Sequence, residues 1–391
     1  MIKRINIQPF KDFFRSGQIG GIILLFCVAV SITIANSSLG NEFERLLSTQ
    51  LGFSTESIHL EYSLAMWIND GLMAIFFLLV GLEIKREMLE GELSNPRKAA
   101  MPIMAALGGM LLPAAIYLLF NQGLETARGW GIPMATDIAF ALGVISLLGK
   151  RVPVSLKVFL AALAIADDLG AIIVIAVFYT NELHWMQFLY SGSILVLLIL
   201  MNRMGIKKLV FYLIPGIFLW YFVHHSGIHA TIAGVLLALT IPTNPVKETS
   251  PLEKLEHIIV RPVNFLIMPV FALANTNIKF EQGMVEGLYS PLGAGIILGL
   301  FLGKPVGVVF FSWLSVKFGF GILPSGANWK HIIGLGMLAG IGFTMSIFVS
   351  MLSFSNPEFK TEAKFAILIA SVSAGIAGYL FLNFLSRKSL K

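Results

Sequence analysis

The chain has 391 residues, of which 56% are hydrophobic and only 13% are charged, and its mean hydropathy is +0.82. Since a soluble domain carries about 25% charged residues, this composition excludes a soluble globular protein and predicts an all-α polytopic membrane protein. The net charge of +6 does not indicate nucleic-acid binding, because the basic residues lie in short patches between apolar segments. A single cysteine, Cys27, excludes an intrachain disulfide and a cysteine metal site.

The first apolar run, from Ile19 to Ala35, follows a basic start. A signal anchor and a cleaved signal peptide share this pattern, and the poor cleavage pattern around Ala35 favours the anchor. Hydropathy predicts twelve spans, which form one membrane domain over residues 1–391. Their approximate bounds are 17–36, 63–84, 99–120, 130–148, 155–180, 186–202, 208–223, 227–241, 258–275, 291–313, 331–353 and 362–386.

The distribution of basic residues predicts the orientation of the spans. With the N-terminus inside, the inside segments hold 22 of the 28 Lys and Arg residues and the outside loops hold five. Positive residues accumulate on the cytoplasmic side, so both termini are expected to be cytoplasmic. The longest outside loop, 37–62, alternates weakly in hydropathy, and a small β-hairpin or a short amphipathic helix would both fit.

Spans 3 to 5 and spans 10 to 12 start on opposite sides, which is the pattern of an inverted three-helix repeat in secondary transporters. The middle span of each unit is interrupted. Span 4 contains Pro133, which lacks a backbone donor, after Gly129 and Gly131. The glycines of span 11 could serve close helix packing alone, but their matching position favours two broken, crossing helices. These glycines are Gly334, Gly336, Gly340 and Gly342.

Four ionisable residues lie deep in the spans, namely Asp137, Asp167, Asp168 and Lys304. Because a charge at the bilayer centre costs roughly 2.5–3.5 kcal/mol, Lys304 is expected to pair with an aspartate. Asp167 and Asp168 are about 100° apart on a helix, so one can face the lysine while the other faces an ion path. Asp137 and Lys304 could instead compensate the charges of broken-helix ends. A pair that serves packing alone is disfavoured, since buried pairs rarely improve on apolar packing.

The ligands expected at this site are the carboxylates, the Thr136 hydroxyl and carbonyls freed by the breaks. These are hard oxygen ligands, which favour a small cation such as Na⁺ or Li⁺ at Asp167 and Asp168 over a transition metal. The same oxygens bind protons, and such competition is an exchange mechanism. Two protons released for each monovalent cation would make the exchange electrogenic. No cofactor is expected.

A second group of charges lies at the inside end of span 2 and before span 9. A solvated helix end explains it, and so does a cytoplasmic funnel that titrates with internal pH. His229 stands alone in an apolar stretch, where a satisfied buried histidine is the ordinary explanation. The group comprises Glu83, Lys85, Arg86, Glu87, Glu90 and Glu92, with Glu253, Lys254, Glu256 and His257.

Six motifs give the chain a clear resemblance to the NhaA family of bacterial sodium/proton antiporters. In chain order they run from the second predicted span to the eleventh, so the resemblance covers nearly the whole sequence. An inverted repeat is itself a known property of NhaA antiporters. The motifs are FFLLVGLEIKRE (76–87), PMATDIAFALG (133–143), ALAIADDLGAI (162–172), SGIHATIAG (226–234), LGKPVG (302–307) and GIGFTMSIF (340–348).

The resemblance implies a multi-pass inner-membrane protein that exports Na⁺ or Li⁺ in exchange for H⁺. It implies that Asp167 and Asp168 are the essential carboxylates, that Asp137 and Thr136 lie where the broken helices cross, and that Lys304 pairs with Asp167. It also implies a homodimer joined through loop 37–62. The residues that match the family's pH-response positions are Glu83, Arg86, Glu87, His229, Glu256 and His257.

One stretch departs from the family pattern. Members with a strong alkaline switch carry a second histidine shortly after the position of His257, whereas this chain reads HIIVRP with Arg261. The sequence therefore leaves the pH set-point open. Three other classes of protein fit less well. A sodium-coupled organic-anion symporter would need polar groups for its substrate, an intramembrane aspartyl protease places its aspartates on separate helices, and a passive channel needs no titratable pair.

Overall fold

The computed structural model describes residues 8–55, 59–180, 183–243, 250–281 and 283–388, with side chains described from residue 19 onwards except at 150 and 388. Both chain ends, and residues 56–58 of loop 37–62, lie outside the described residues. Helices dominate the rest, because a chain in lipid must satisfy its backbone donors and acceptors internally.

The first half of the chain forms eight helices within the described residues. All are α-helical except α5, which is a 3₁₀-helix, and α3 contains a π-helical turn at Trp67–Leu72. Single 3₁₀ turns lie at Glu92–Ser94 and Gly149–Arg151. The helices are α1 (Gln8–Ala35), α2 (Gly40–Ser48), α3 (Leu64–Leu89), α4 (Pro96–Asn121), α5 (Glu125–Met134), α6 (Ile138–Leu147), α7 (Val154–Phe178) and α8 (Trp185–Arg203).

The second half forms eight more helices in the described part of the chain. Two of them contain π-helical turns, at Val263–Ile267 and at Gly299–Gly303. The helices are α9 (Val210–His225), α10 (Ile232–Thr240), α11 (Pro251–Asn275), α12 (Met284–Gly287), α13 (Pro291–Lys317), α14 (Trp329–Ala339), α15 (Phe343–Ser353) and α16 (Pro357–Lys388).

Seven helices of the described residues are long and apolar enough to cross a bilayer, namely α3, α4, α7, α8, α11, α13 and α16. Three bent pairs raise the number to ten if each pair is one span: α1 with α2 (110°), α5 with α6 (42°) and α14 with α15 (46°). The predicted class, an all-helical multi-pass membrane protein, is confirmed. The count of twelve and the repeat stay predictions.

The shortfall in spans concerns α9 and α10, which have 16 and 9 residues. A straight span needs about 20 residues. The sequence predicts a span over 227–241, but the structure has turns from Ser226 to Thr231 and begins the helix only at Ile232. Gly227 adopts φ +90°, which ends α9 and delays α10.

Loop 37–62 contains both of the elements that the sequence left open. After α2, strands β1 (Gln50–Leu51) and β2 (Tyr62–Ser63) pair antiparallel, with Gln50 opposite Ser63. The Trp67 indole of α3 donates to Leu51 O at 3.0 Å, and the Tyr62 hydroxyl lies 3.1 Å from Nε2 of His225 on α9. These contacts attach the hairpin to the ends of two helices.

Burial distinguishes the centre of the bundle from its edge. In the most apolar stretch of α7, 67% of the residues are buried inside the bundle, whereas in the corresponding stretch of α8 only 11% are buried. α7 is therefore the central helix, and α8 presents most of its side chains to the surroundings. The aspartates of α7 lie in the middle of this enclosed helix.

The backbones of α4 and α13 touch at Gly108 and Gly307. A Cβ atom added at Gly108 would lie 2.2 Å from Gly307 O, and one added at Gly307 would lie 2.1 Å from Gly108 O. Small residues permit this close approach of membrane helices. The contact brings α13, and with it Lys304, against the centre of the bundle.

Candidate functional site

Two interruptions of helical structure meet at the centre of the bundle. Residues 135–137 separate α5 from α6, and residues 340–342 separate α14 from α15. The Asp137 amide donates to Ile341 O at 2.7 Å, and the Thr136 hydroxyl lies 2.9 Å from Ala339 O. A Cβ atom at Gly342 would lie 2.2 Å from Ser346 Oγ and 3.2 Å from Ala135 O, so a larger residue would displace these neighbours. The backbone groups freed by one break are thus bound by the other.

Asp137 caps both helices that begin at these breaks. Its Oδ1 accepts from the Phe140 amide of α6 at 3.1 Å, and its Oδ2 accepts from the Thr344 amide of α15 at 3.1 Å and from the Thr344 hydroxyl. A carboxylate at helix N-termini compensates their positive partial charge. Sequence reasoning missed Thr344, although its place just after the glycines of span 11 mirrors that of Asp137 after Pro133.

Lys304 meets a carboxylate and a helix end at the same time. Its Nζ lies 2.7 Å from Asp167 Oδ2 and also donates to the carbonyl of Met134, the last residue of α5. Both Lys304 and Asp167 are 0% exposed. The π-helical turn at Gly299–Gly303 immediately precedes the lysine, and such turns are frequent at functional sites. The pairing expected from the sequence is therefore with Asp167.

The remaining ligands gather around the same carboxylate. Thr136 Oγ1 lies 2.6 Å from Asp167 Oδ2, and its single hydroxyl proton can serve either this oxygen or Ala339 O. Asp168 is 2% exposed. Its Oδ1, like Oδ1 of Asp167, is buried without a hydrogen-bond partner among the described residues. A buried carboxylate oxygen without a hydrogen bond is destabilising, and a proton or a small cation would satisfy it.

All of the predicted pH-response residues except His229 lie in a second cluster, where α3 meets α11. Glu83, Glu87 and Glu256 are all buried, at 7–8% exposure. Arg86 forms an ion pair with Glu256 and lies 3.5 Å from a Glu87 oxygen. One guanidinium thus lies among three buried carboxylates, while His257 is exposed.

Two other residues of the motifs lie apart from this cluster. The Lys85 ammonium donates to Leu239 O at 2.7 Å and to Ile241 O at 2.5 Å, so it caps the end of α10. Nothing in the local sequence distinguishes this role from that of a surface lysine. His229 is half-buried in the turn before α10 and contacts the backbone of Tyr179, which follows α7.

Comparison with known proteins shows the family of the chain. The sequence model of the family described as Na⁺/H⁺ antiporter 1 matches residues 11–382. The Na⁺/H⁺ antiporter NhaA 2 of Flavobacterium johnsoniae is 62% identical over 384 residues, covering 98% of this chain and 94% of the relative. NhaA 1 of the same organism is 50% identical, with 97% of each chain covered. The NhaA of Vibrio campbellii is 50% identical, with 96% and 95% covered.

The three relatives are named as antiporters, which are transporters rather than enzymes. The resemblance found in the sequence motifs is confirmed over nearly the full length of the chain. The chain belongs to the NhaA family of Na⁺/H⁺ antiporters.

Proposed function

We propose that the protein exports Na⁺, or Li⁺, in exchange for H⁺ by alternating access across the bacterial inner membrane. The observation that carries the proposal is the fully buried Lys304–Asp167 pair, with Asp168 beside it, at the contact of two broken helices. The printed names of the relatives support the choice of ions. The hard oxygen ligands at the site suit a small monovalent cation.

The exchange follows from competition for the carboxylates. A cation bound by Asp168 and Asp167 replaces the Lys304 ammonium at Oδ2 of Asp167. Asp168 is the direct ligand, and Asp167 exchanges the lysine for the ion. Two protons released for each monovalent cation bound make a full cycle move net charge. The exchange is then electrogenic and driven by the proton motive force.

The other site residues support this exchange. Asp137 keeps the starts of α6 and α15 together through Phe140 and Thr344. Thr136 supplies a hydroxyl beside Asp167. Because the two breaks bind each other, the flanking half-helices can change their exposure to either side while the site itself stays assembled.

The cluster at the inside end of α3 is the proposed regulator of activity by cytoplasmic pH. Three buried carboxylates around Arg86 make the local charge sensitive to protonation. His257 and His229 are included by resemblance. The proposed pH-response residues are Glu83, Arg86, Glu87, Glu256 and His257 in this cluster, and His229 outside it.

The proposed architecture has twelve spans in one domain over residues 1–391, with α9 and α10 as the seventh and eighth. α4 to α7 and α13 to α16 form the inverted-repeat core, and the other spans form the scaffold. Each unit has a bent helix pair in its middle, α5 with α6 in the first and α14 with α15 in the second, and this shared position supports the repeat. Both termini are cytoplasmic in this arrangement, and the hairpin of loop 37–62 joins two protomers.

Reconstitution in liposomes tests the function directly. In energised vesicles with a trapped pH dye, Na⁺ or Li⁺ is expected to dissipate the pH gradient, whereas K⁺ has little effect. The assay is run from about pH 6 to about pH 9, which brackets the range where histidine and buried carboxylates titrate. No response to Na⁺ or Li⁺ anywhere in this range refutes the antiport proposal.

Asp168→Asn tests the proposed role of Asp168 as the cation ligand. It removes the charge of the proposed ligand while keeping the shape of the side chain, so exchange is expected to be abolished in a protein that still inserts and folds. Asp70→Asn is its control, since Asp70 is a half-buried carboxylate of α3 that lies 3.9 Å from Nδ1 of His224, away from the site. Exchange by Asp168→Asn at the wild-type rate contradicts the assigned role.

A further inference from the structure

Four side chains from four different parts of the bundle bind the carbonyls of α5. Tyr117 of α4 donates to Thr126 O at 2.7 Å, and Ser346 of α15 donates to Ile132 O at 2.7 Å. Lys304 donates to Met134 O, and Tyr179 donates to Arg128 O at 2.8 Å. The position of this 3₁₀-helix is therefore fixed by its neighbours, and its last residues enter the ion site.

Tyr179 differs from the other three because its hydroxyl uses both of its hydrogen-bonding capacities on α5. It donates to Arg128 O and accepts from the Gly131 amide at 3.3 Å. These two groups are acceptor and donor of one i→i+3 turn of a 3₁₀-helix, so the hydroxyl bridges that turn. A Cβ atom at Gly131 would lie 2.8 Å from the hydroxyl oxygen, which explains the glycine.

The residue directly follows α7, the helix that carries the site aspartates. Asp167 lies twelve residues earlier, or about 18 Å along the helix. Tyr179 is 8% exposed, and its backbone contacts His229 in the turn before α10. One phenol thus joins the end of α7 to the middle of α5.

We infer that Tyr179 is a positioning residue for the ion site. Its hydroxyl fixes the rotation of α5 relative to α7, so that Met134 O meets Lys304 and Thr136 meets Asp167 at 2.6 Å. Without the bridge, α5 is held only from its two ends. The effect on transport rests on the antiport proposed above, whereas the effect on α5 itself does not.

Tyr179→Phe removes the hydroxyl and keeps the ring. Loss of a hydrogen bond of this kind corresponds to about a three- to tenfold change in an equilibrium. The apparent KM for Na⁺ is expected to rise by about this factor with little change in the maximal rate, because the misplaced ligands lower cation affinity. Tyr212→Phe is the control: Tyr212 is also fully buried and donates to Ile206 O at 2.8 Å, but it lies on α9 away from the site.

A purely structural bond would behave differently. In that case Tyr179→Phe and Tyr212→Phe would lower the thermal stability alike and leave KM unchanged, which overturns the inference. Gly131→Ala approaches the same contact from the other side and is expected to raise KM as well. The double variant Tyr179→Phe/Gly131→Ala should be no worse than the more affected single variant, since both disturb one contact. Full additivity contradicts a shared contact.

Hydrogen exchange separates this inference from the antiport proposal. In the purified protein, the amides of residues 125–134 are expected to exchange about three- to tenfold faster in Tyr179→Phe than in the wild type. Residues 210–225 should be unaffected. If vesicles show no Na⁺/H⁺ exchange but this loosening occurs, the function fails and the positioning role stands. If the amide hydrogen-exchange rates of residues 125–134 are the same in Tyr179→Phe and the wild type, the positioning role is refuted, whatever the transport assay shows.

Discussion

Lys304 shows how much of the site depends on single residues. It is fully buried, and its ammonium has a carboxylate and a helix-end carbonyl as partners. A buried ion pair is weak evidence of stability, because desolvation offsets most of the attraction. A pair that contributes little to stability but can exchange its cationic partner is suited to transport.

Removing the lysine alone is expected to destabilise the protein. Lys304→Met leaves Asp167 buried without its counter-charge, which costs about 3–5 kcal/mol of the free energy of unfolding. Adding Asp167→Asn removes the unpaired charge and is expected to restore most of the loss. Thermal unfolding in detergent measures both variants.

Lys207→Met is the control for the loss of a lysine, since Lys207 is exposed in the loop after α8. Its melting temperature should match that of the wild type. A double variant as unstable as Lys304→Met alone would contradict the explanation by an uncompensated charge.

The sequence predicts the pairing of Lys304 with an aspartate because a buried charge must be compensated, whatever the fold. It does not predict the roles of Thr344, Lys85 and Tyr179. Each of these side chains binds a group of a distant segment, which is a backbone carbonyl for Lys85 and Tyr179 and the Asp137 carboxylate for Thr344. Such partners depend on how the helices pack. A lysine or tyrosine in a helical sequence carries no sign of that partner, and for Thr344 the sign is its position just after the glycines of span 11.

At the scale of elements, the interruptions are better predicted than the type of helix around them. Pro133 and the glycines of span 11 predict breaks, and the structure has bends of 42° and 46° at these places. The 3₁₀ form of α5 is not predicted, since it depends on carbonyl partners from other helices. The hairpin and α2 both occur in a loop where the sequence offered them as alternatives.

The contact between α4 and α13 gives a prediction at this scale. Gly108→Ala places a methyl group 2.2 Å from Gly307 O and 2.6 Å from the Phe311 ring, so the helices must separate. Overpacking of this kind costs about 1–3 kcal/mol or more, and the melting temperature in detergent is expected to fall.

Gly192→Ala is the matched control, because Gly192 lies inside α8 with no atom within 4 Å of an added Cβ. Alanine favours a helix over glycine by about 1 kcal/mol, so this variant should be as stable as the wild type or more stable. Equal melting temperatures for Gly108→Ala and Gly192→Ala would contradict the close approach of α4 and α13.

For the whole molecule, composition alone predicts the class, since few folds other than a membrane bundle tolerate so few charges. The number of spans is harder to predict. Hydropathy treats 227–241 as one segment, but the turn at Gly227 leaves a helix of nine residues. An apolar segment need not be helical throughout when neighbouring helices surround it.

The proposed dimer is tested at the hairpin. Leu51 and Phe53 are exposed apolar side chains, at 45% and 56%. Phe53→Glu puts a charge on this surface and, by two-fold symmetry, on the same surface of the second protomer. The dimer fraction measured by light scattering in detergent is expected to fall.

Gln50→Glu adds the same charge at an exposed neighbouring position of β1 and serves as the control. It should leave the oligomeric state unchanged. A monomeric wild type, or a Phe53→Glu variant as dimeric as Gln50→Glu, would contradict assembly through this loop.

The meeting of Gly108 and Gly307 has a mechanical consequence. α4 and α13 are the first helices of the two proposed repeat units, and at Gly108 and Gly307 their backbones meet with no side chain between them. If α4 slid or rotated against α13, their backbone atoms would clash. Any change of shape that turns the site from one side of the membrane to the other must then be absorbed elsewhere. The breaks at 135–137 and 340–342 can accommodate such a change, because no continuous series of helical hydrogen bonds crosses them.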